Sequence, residues 1–143
     1  MNFKTVTFAA IVALLMAACC PCKKGQSNNA PLYGTTWRAV IFDINGTNKV
    51  VAEQNPGEYT LILNEDGKFN GVGDCNSYFG DFTLKNGKIT FSNMGSTKAM
   101  CPSQEWEDCF LQNINSANGY SIEGDKLMLL QDGRVCVIFK AQK

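Results

Sequence analysis

Short runs of apolar and polar residues, separated by turn signals, fill the chain from Tyr33 onward. In residues 88–92 (KITFS) apolar residues occupy every second position, which predicts a strand with one buried and one solvated face. Asn-Gly, Asp-Gly or Gly-Asp pairs separate the runs and supply the positive φ of tight hairpins. Closely spaced hairpins pair strands antiparallel, so an antiparallel sheet is predicted. The predicted strands are 36–44, 59–64, 68–72, 81–84, 88–92, 126–131 and 134–140, with turns at 44–46, 65–67, 85–87, 123–125 and 132–133.

One segment has helical rather than strand periodicity. Apolar residues recur at helical spacing at Trp106, Phe110, Ile114 and Ala117. Acidic residues near the start of this segment suit the first turn of a helix. Gly119 is the predicted end of this helix. We therefore predict one amphipathic helix whose Trp106 and Phe110 face packs on the sheet, which makes the fold class α+β.

The amino terminus has the composition of a bacterial export signal. Lys4 precedes an apolar run at 6–16, and small residues then lead to Cys19. The string LMAAC resembles a lipobox, in which cleavage occurs before the cysteine after its thiol is acylated. Residues 1–18 are accordingly predicted to be a lipoprotein signal peptide, and Cys19 the lipidation site, although an ordinary cleaved signal with an unanchored product is the alternative.

The residues behind Cys19 indicate how the domain is attached. The next residue is not Asp, which by analogy with lipoprotein sorting favours the outer membrane over the inner one. Residues 23–31 are small and polar, and we predict that residues 19–32 form a lipidated flexible tether. The folded domain is predicted to occupy residues 33–143, close to the membrane surface.

Charge and composition remove several classes of function. The 13 basic and 13 acidic residues cancel, so the chain carries no general signal for nucleic-acid binding. It contains no histidine, which excludes Ser-His-Asp and Cys-His catalytic arrangements. We therefore expect a protein that is not an enzyme, has no catalytic residues and requires no cofactor.

Three segments carry a family resemblance. Residues 73–78 (GDCNSY), 95–102 (GSTKAMCP) and 107–111 (EDCFL) resemble the motifs of the META domain family, which includes heat-inducible HslJ-like bacterial lipoproteins. Asp74 is inserted where the family often has Gly-Cys directly. The resemblance covers nearly all of residues 33–143 and implies a partly barrel-like antiparallel sheet of about seven to eight short strands with one helix. It implies an exported lipoprotein in envelope and stress contexts, but no agreed activity.

Four cysteines lie in the predicted domain: Cys75, Cys101, Cys109 and Cys136. An even count in an exported chain is typical of disulfides, and four cysteines allow three pairings. The family motifs favour a bond between Cys75 and Cys101. Cys109 and Cys136 are either a second pair or two buried thiols. A zinc site built from the four cysteines is not expected, because even the shortest gap is seven residues and zinc ligands usually come as close pairs.

A short polar string follows Cys75 and is a candidate recognition surface: Asn76, Ser77 and Tyr78. The alternative is that Asn76 caps a turn and Tyr78 is half-buried. The leading functional hypothesis is a lipid-anchored binding module that holds an envelope protein or a small apolar ligand between helix and sheet. A structural, envelope-protective lipoprotein without a specific ligand and a thiol redox protein are the alternatives.

Overall fold

The computed structural model of the protein describes residues 28–51 and 57–143. The predicted signal peptide, Cys19 and most of the predicted tether lie outside the described residues. The described part contains nine strands and one helix that follows the sixth strand. The strands are β1 Trp37–Ile44, β2 Thr47–Val50, β3 Thr60–Leu63, β4 Lys68–Gly73, β5 Asn76–Lys85, β6 Lys88–Ser96, β7 Gly119–Glu123, β8 Lys126–Gln131 and β9 Arg134–Ala141; the helix is α1 Gln104–Ser116.

Eight of these strands form one antiparallel path in the order β6-β5-β4-β3-β1-β9-β8-β7, and β2 pairs with the second half of β1. Strand β1 joins the two halves of the sheet, because it pairs with β3 on one edge and β9 on the other. Register shifts between Phe79 and Asp81 and at two other places add local bends to the twist. The sheet curls into a half-barrel with α1 packed on it, which confirms the predicted fold class.

The predicted turns are present where the sequence places them. Asn45, Asn86 and Asp132 all have φ near +50°, and each precedes a glycine with positive φ. Strands β2 and β7 were not among the predicted runs. Their side chains are at most half-buried, so neither strand carries a clear alternation of apolar and polar residues.

The helix lies where its periodicity predicts it, but it ends differently. Helix α1 ends at Ser116, Ala117 is already extended, and Gly119 begins β7 rather than capping the helix. A short link between α1 and β7 thus takes the place of the predicted glycine stop. The helix has 13 residues, and within the described ranges no helix is long and apolar enough to cross a membrane.

The core is aromatic and is centred on the helix. The ring of Phe110 lies 5.1 Å from that of Tyr59, 5.4 Å from Phe42, 5.8 Å from Tyr78 and 6.2 Å from Phe139, measured between centroids. Most of these contacts are tilted or edge-to-face, the arrangements that aromatic quadrupoles favour. Phe110 therefore fills the concave side of the curled sheet and joins its two halves.

Gly71 in β4 is a position where a side chain does not fit. A Cβ atom there would lie 2.0 Å from the backbone oxygen of Thr60 and 2.7 Å from the ring of Tyr78. We expect Gly71→Ala to lower the free energy of unfolding by about 1–3 kcal/mol, because strand β3 or the ring must shift. Urea denaturation measures the loss. Gly119→Ala is the control, since its nearest neighbour would be an ordinary contact at 3.5 Å; equal stability of the two variants would contradict the packing.

Candidate functional site

A disulfide joins the β4–β5 hairpin to the segment that leads into α1. Cys75 lies in the hairpin turn and Cys101 precedes the helix, with their Cα atoms 6.3 Å apart. The inserted residue Asp74 takes the left-handed turn position, with φ 71°, which Asp tolerates. Its carboxylate also accepts a hydrogen bond from the Ser103 hydroxyl at the start of α1. The hairpin is thus held to the helix by a covalent bond and a hydrogen bond.

Asn76 organises the polar interior behind this disulfide. Its side-chain oxygen accepts hydrogen bonds from the Thr97 hydroxyl (2.8 Å) and the Ala99 amide (2.7 Å). Its side-chain amide donates to the Ala99 carbonyl (3.0 Å) and to Glu107 Oε2 (2.9 Å), while its backbone amide donates to Glu107 Oε1 (3.2 Å). Asn76 therefore connects β5, the segment at 97–101 and α1 through one side chain.

Glu107 is an acidic residue on the buried face of α1. Sequence analysis identified it only as one of the acidic residues that suit the first turn of the helix, and in the structure 1% of it is exposed. It lies three residues before Phe110, so the two side chains share one face of α1. That spacing is the signal by which the sequence indicates its burial. Both carboxylate oxygens accept hydrogen bonds from Asn76, and no buried side-chain nitrogen or oxygen in the described ranges lacks a partner.

The predicted recognition surface is therefore not a surface. Asn76 is 3% exposed and Tyr78 is 1% exposed, while Ser77 between them points to solvent. The Tyr78 hydroxyl donates to the Thr60 carbonyl (2.5 Å), and burial raises the pKa of this phenol. The alternation of a strand sends residues 76 and 78 inward together, so this string is structural.

The disulfide lies beside the buried carboxylate of Glu107. The sulfurs of Cys75 and Cys101 and a carboxylate oxygen of Glu107 all lie within 4.8 Å of one another, and this is the only such group in the described part of the chain. The Cys101 sulfur lies 3.4 Å from Glu107 Oε2. Cys75 is exposed and Cys101 half-buried, so solvent reaches the sulfurs.

Cys109 and Cys136 are free thiols, so the second disulfide that was left open does not form in this structure. The Cys136 sulfur is turned toward the backbone carbonyl of Leu129, 3.4 Å away, and is enclosed in the core. Burial raises the pKa of Cys136 to about 11 and also raises the pKa of Cys109. Both thiols are therefore mostly protonated near neutral pH and are poor nucleophiles.

Cys109 is half-buried and Cys136 is buried. This difference predicts the order in which their thiols are alkylated in the folded protein at neutral pH. We expect slow labelling of half-buried Cys109, labelling of Cys136 only on unfolding, and none of Cys75 or Cys101 before reduction. Peptide mass spectrometry after iodoacetamide treatment assigns each site. Prompt labelling of Cys136 in the native state would show that its environment is not the buried one described.

A cleft lies between α1, the end of β1 and the β8–β9 turn. It has a volume of about 530 Å³. The lining side chains come from the end of β1, from α1 and from the β8–β9 turn, and most of them are polar. They include Asp43, Asn45, Gln112, Asn113, Gln131 and Arg134, with Cys109 and Cys136 in the wall.

Several of these polar groups already have partners. Asp43 accepts from the Gly46 amide (2.7 Å), and Asn113 donates to the Asp43 carbonyl (2.7 Å). Asp132 accepts from the Asn118 side chain (2.8 Å). The exposed guanidinium of Arg134 forms no ion pair with any described residue. The cleft therefore presents the Arg134 cation, the hydrogen-bonded carboxylates of Asp43 and Asp132, and neutral amides. These groups are separated widely in the sequence.

Comparison with known proteins addresses the fold and the family. The META domain family model matches residues 30–143. A protein from Burkholderia xenovorans, solved by NMR, is 24% identical with a TM-score of 0.63, and the match covers 78% of this chain and 84% of that one. A DUF4847 family protein from Bacteroides vulgatus, in a crystal structure, is 16% identical with a TM-score of 0.55, covering 78% and 94%. At these identities the two structures support the fold alone. No curated protein matches the sequence.

Proposed function

The chain belongs to the META domain family, and from this premise we propose that it is a lipid-anchored, non-catalytic binding module of the bacterial cell envelope. Cys19 carries the lipid and holds the domain at the outer membrane. The ligand binds in the polar cleft between α1 and the sheet. This role requires no cofactor and no nucleic acid.

The composition of the cleft carries the proposal. A volume of about 530 Å³ lies within the range of small-molecule sites, and it also accommodates a short protein segment. Gln112 and Gln131 offer donors and acceptors, and Arg134 offers a charge that pairs with a carboxylate or phosphate. These groups favour a polar ligand or a polar segment of an envelope protein over the apolar ligand suggested by the sequence.

The cysteine motifs, by contrast, support a structural role. Asn76 and Glu107 use their polar atoms to join β5 to α1, and the four described cysteines are bonded or shielded. The absence of histidine from the chain leaves no ordinary general base beside a thiol. These observations favour binding over thiol redox catalysis.

Site-specific photo-crosslinking in cells tests the cleft. A photoreactive residue at exposed Gln112 is expected to yield a defined adduct, and the same residue at Lys88, in a distant hairpin, is the matched control. Arg134→Gln should reduce the yield of that adduct, because it removes the charge and keeps most of the side-chain size. Equal adducts from both positions, or a yield that Arg134→Gln leaves unchanged, would count against the cleft.

The anchor is tested separately. Cys19→Ala is expected to release the protein from the membrane fraction, and the intact mass of the wild type should show a chain that starts at Cys19 with acyl groups. The same variants distinguish the alternative of an envelope-protective lipoprotein without a ligand. That alternative is favoured if Cys19→Ala abolishes protection of the envelope against heat and detergent and Arg134→Gln retains that protection fully.

A further inference from the structure

The disulfide holds two sulfur atoms beside one buried carboxylate. The sulfurs of Cys75 and Cys101, which are bonded to each other, lie within 4.8 Å of an oxygen of Glu107. We propose that reduction of this disulfide creates a binding site for a borderline-soft divalent cation of the zinc class, with these three residues as ligands and water in the fourth position. The site lies apart from the cleft and is independent of the proposed function.

The carboxylate is oriented before any cation binds. Glu107 is 1% exposed, and Asn76 donates one N–H group to each of its oxygens. Such supporting hydrogen bonds fix the direction of a ligand and raise its affinity for metal. The Asn76 side chain also holds the Ala99 backbone, two residues before Cys101. These hydrogen bonds do not depend on the disulfide, so they keep the ligand-bearing segments together after reduction.

The chemistry of the reduced state favours a cation. A dithiol reductant transfers two electrons and two protons to the disulfide, becomes a disulfide itself, and leaves two thiols against Glu107. Zinc then replaces the proton of each thiol, so that two protons pass to solvent and two zinc–sulfur bonds form. Without a cation the two sulfurs stay protonated beside Glu107, because two thiolates and a carboxylate would repel one another at short range. Two thiolates and one carboxylate with an open fourth position suit Zn²⁺ better than Mg²⁺ or Ca²⁺.

The other thiols do not offer this arrangement. Cys109 and Cys136 have no group of three ligand atoms around them in the described part of the chain, where only the group at Glu107 meets that spacing. Solvent reaches Cys75, which is exposed, so a cation has a path to the site. The three proposed ligands come from the β4–β5 turn, the segment before α1 and α1 itself. The site therefore lacks the closely spaced cysteine pairs by which zinc sites are recognised in sequences.

Zinc titration of the reduced and oxidised protein against a chromophoric chelator tests the proposal. A variant that lacks Cys19, Cys20 and Cys22 serves as the background, so that only the four domain cysteines remain. We expect one zinc per chain after reduction and none while the disulfide is intact. The double variant Cys109→Ser, Cys136→Ser should bind zinc as the background protein does. The double variant Cys75→Ser, Cys101→Ser should not bind zinc. Glu107→Gln should weaken binding by at least about tenfold, whereas Asp108→Asn, at an exposed neighbour, should not.

A second readout does not depend on the folding of ligand variants. In the reduced background protein, zinc is expected to protect Cys75 and Cys101 from alkylation and to leave the rate at Cys109 unchanged. Zinc affinity that is equal with and without Cys75 and Cys101, or zinc that fails to protect these two thiols, would overturn the proposal.

Discussion

Replacement of Asn76 by alanine is expected to lower the free energy of unfolding by about 3–5 kcal/mol. The change removes two bonds to the Ala99 backbone, one to Thr97 and one to the Glu107 carboxylate. A bond to a charged group contributes about 1.5–3 kcal/mol and a neutral bond about 0.5–1.5 kcal/mol, and bonds that share one side chain are not fully additive. The loss also includes the cost of leaving Glu107 buried with one fewer donor. Thermal and urea denaturation followed by circular dichroism measure the effect.

Ser77→Ala is the matched control for this variant. Ser77 is the next residue in the same strand, but its side chain is exposed, so we expect a change within about 0.5 kcal/mol. A small effect of Asn76→Ala, similar to that of Ser77→Ala, would contradict the role assigned to Asn76. It would instead return the polar string at 76–78 to consideration as a recognition surface.

Removal of the disulfide by Cys75→Ala with Cys101→Ala is expected to cost about 3–4 kcal/mol of unfolding free energy. The bond spans a sequence separation of 26 residues, and in the chain-entropy model a crosslink over a loop of this length restricts the unfolded chain by about that amount. The loss is a large fraction of the stability of a typical small domain. Urea denaturation of the oxidised wild type and of the double variant measures the difference.

Reduction of the wild type in the presence of a metal chelator is the control for this effect. It should lower stability by an amount close to that of the double variant, because both remove the same crosslink. Near-ultraviolet circular dichroism at low urea should still report packed aromatic rings, since the rings around Phe110 pack against one another. A double variant as stable as the oxidised wild type would show that the crosslink contributes no net stability.

Both predictions concern the residues that carry the family motifs, and both assign them to the stability of the fold. Asn76 and the disulfide join a hairpin, a loop and the helix around one buried carboxylate. Residues in such an arrangement are constrained by packing and by hydrogen bonding. Apart from Cys109, which belongs to the 107–111 motif, the cleft is lined by side chains outside the motif segments.

The local elements of this protein were determined by the sequence itself. Asn-Gly and Asp-Gly pairs specify tight turns because few other residues adopt positive φ at low cost. The spacing of Trp106, Phe110 and Ile114 specifies a helix with one apolar face. Alternation along β6 specifies which side chains face inward. Each of these signals depends on residues a few positions apart, so it can be found in one sequence.

Tertiary structure alone decided the pairing of distant strands, the hydrogen-bond partners of the buried Asn76 and Glu107, and the cleft. Strand β1 pairs with β9 about 100 residues later, and β2 and β7 are strands because neighbours supply their hydrogen bonds. Glu107 is buried because Asn76, 31 positions away, supplies its donors. The cleft takes Asp43, Gln112 and Arg134 from three elements. No short window of sequence contains these partners, because the folded chain brings them together only when α1 packs on the curled sheet.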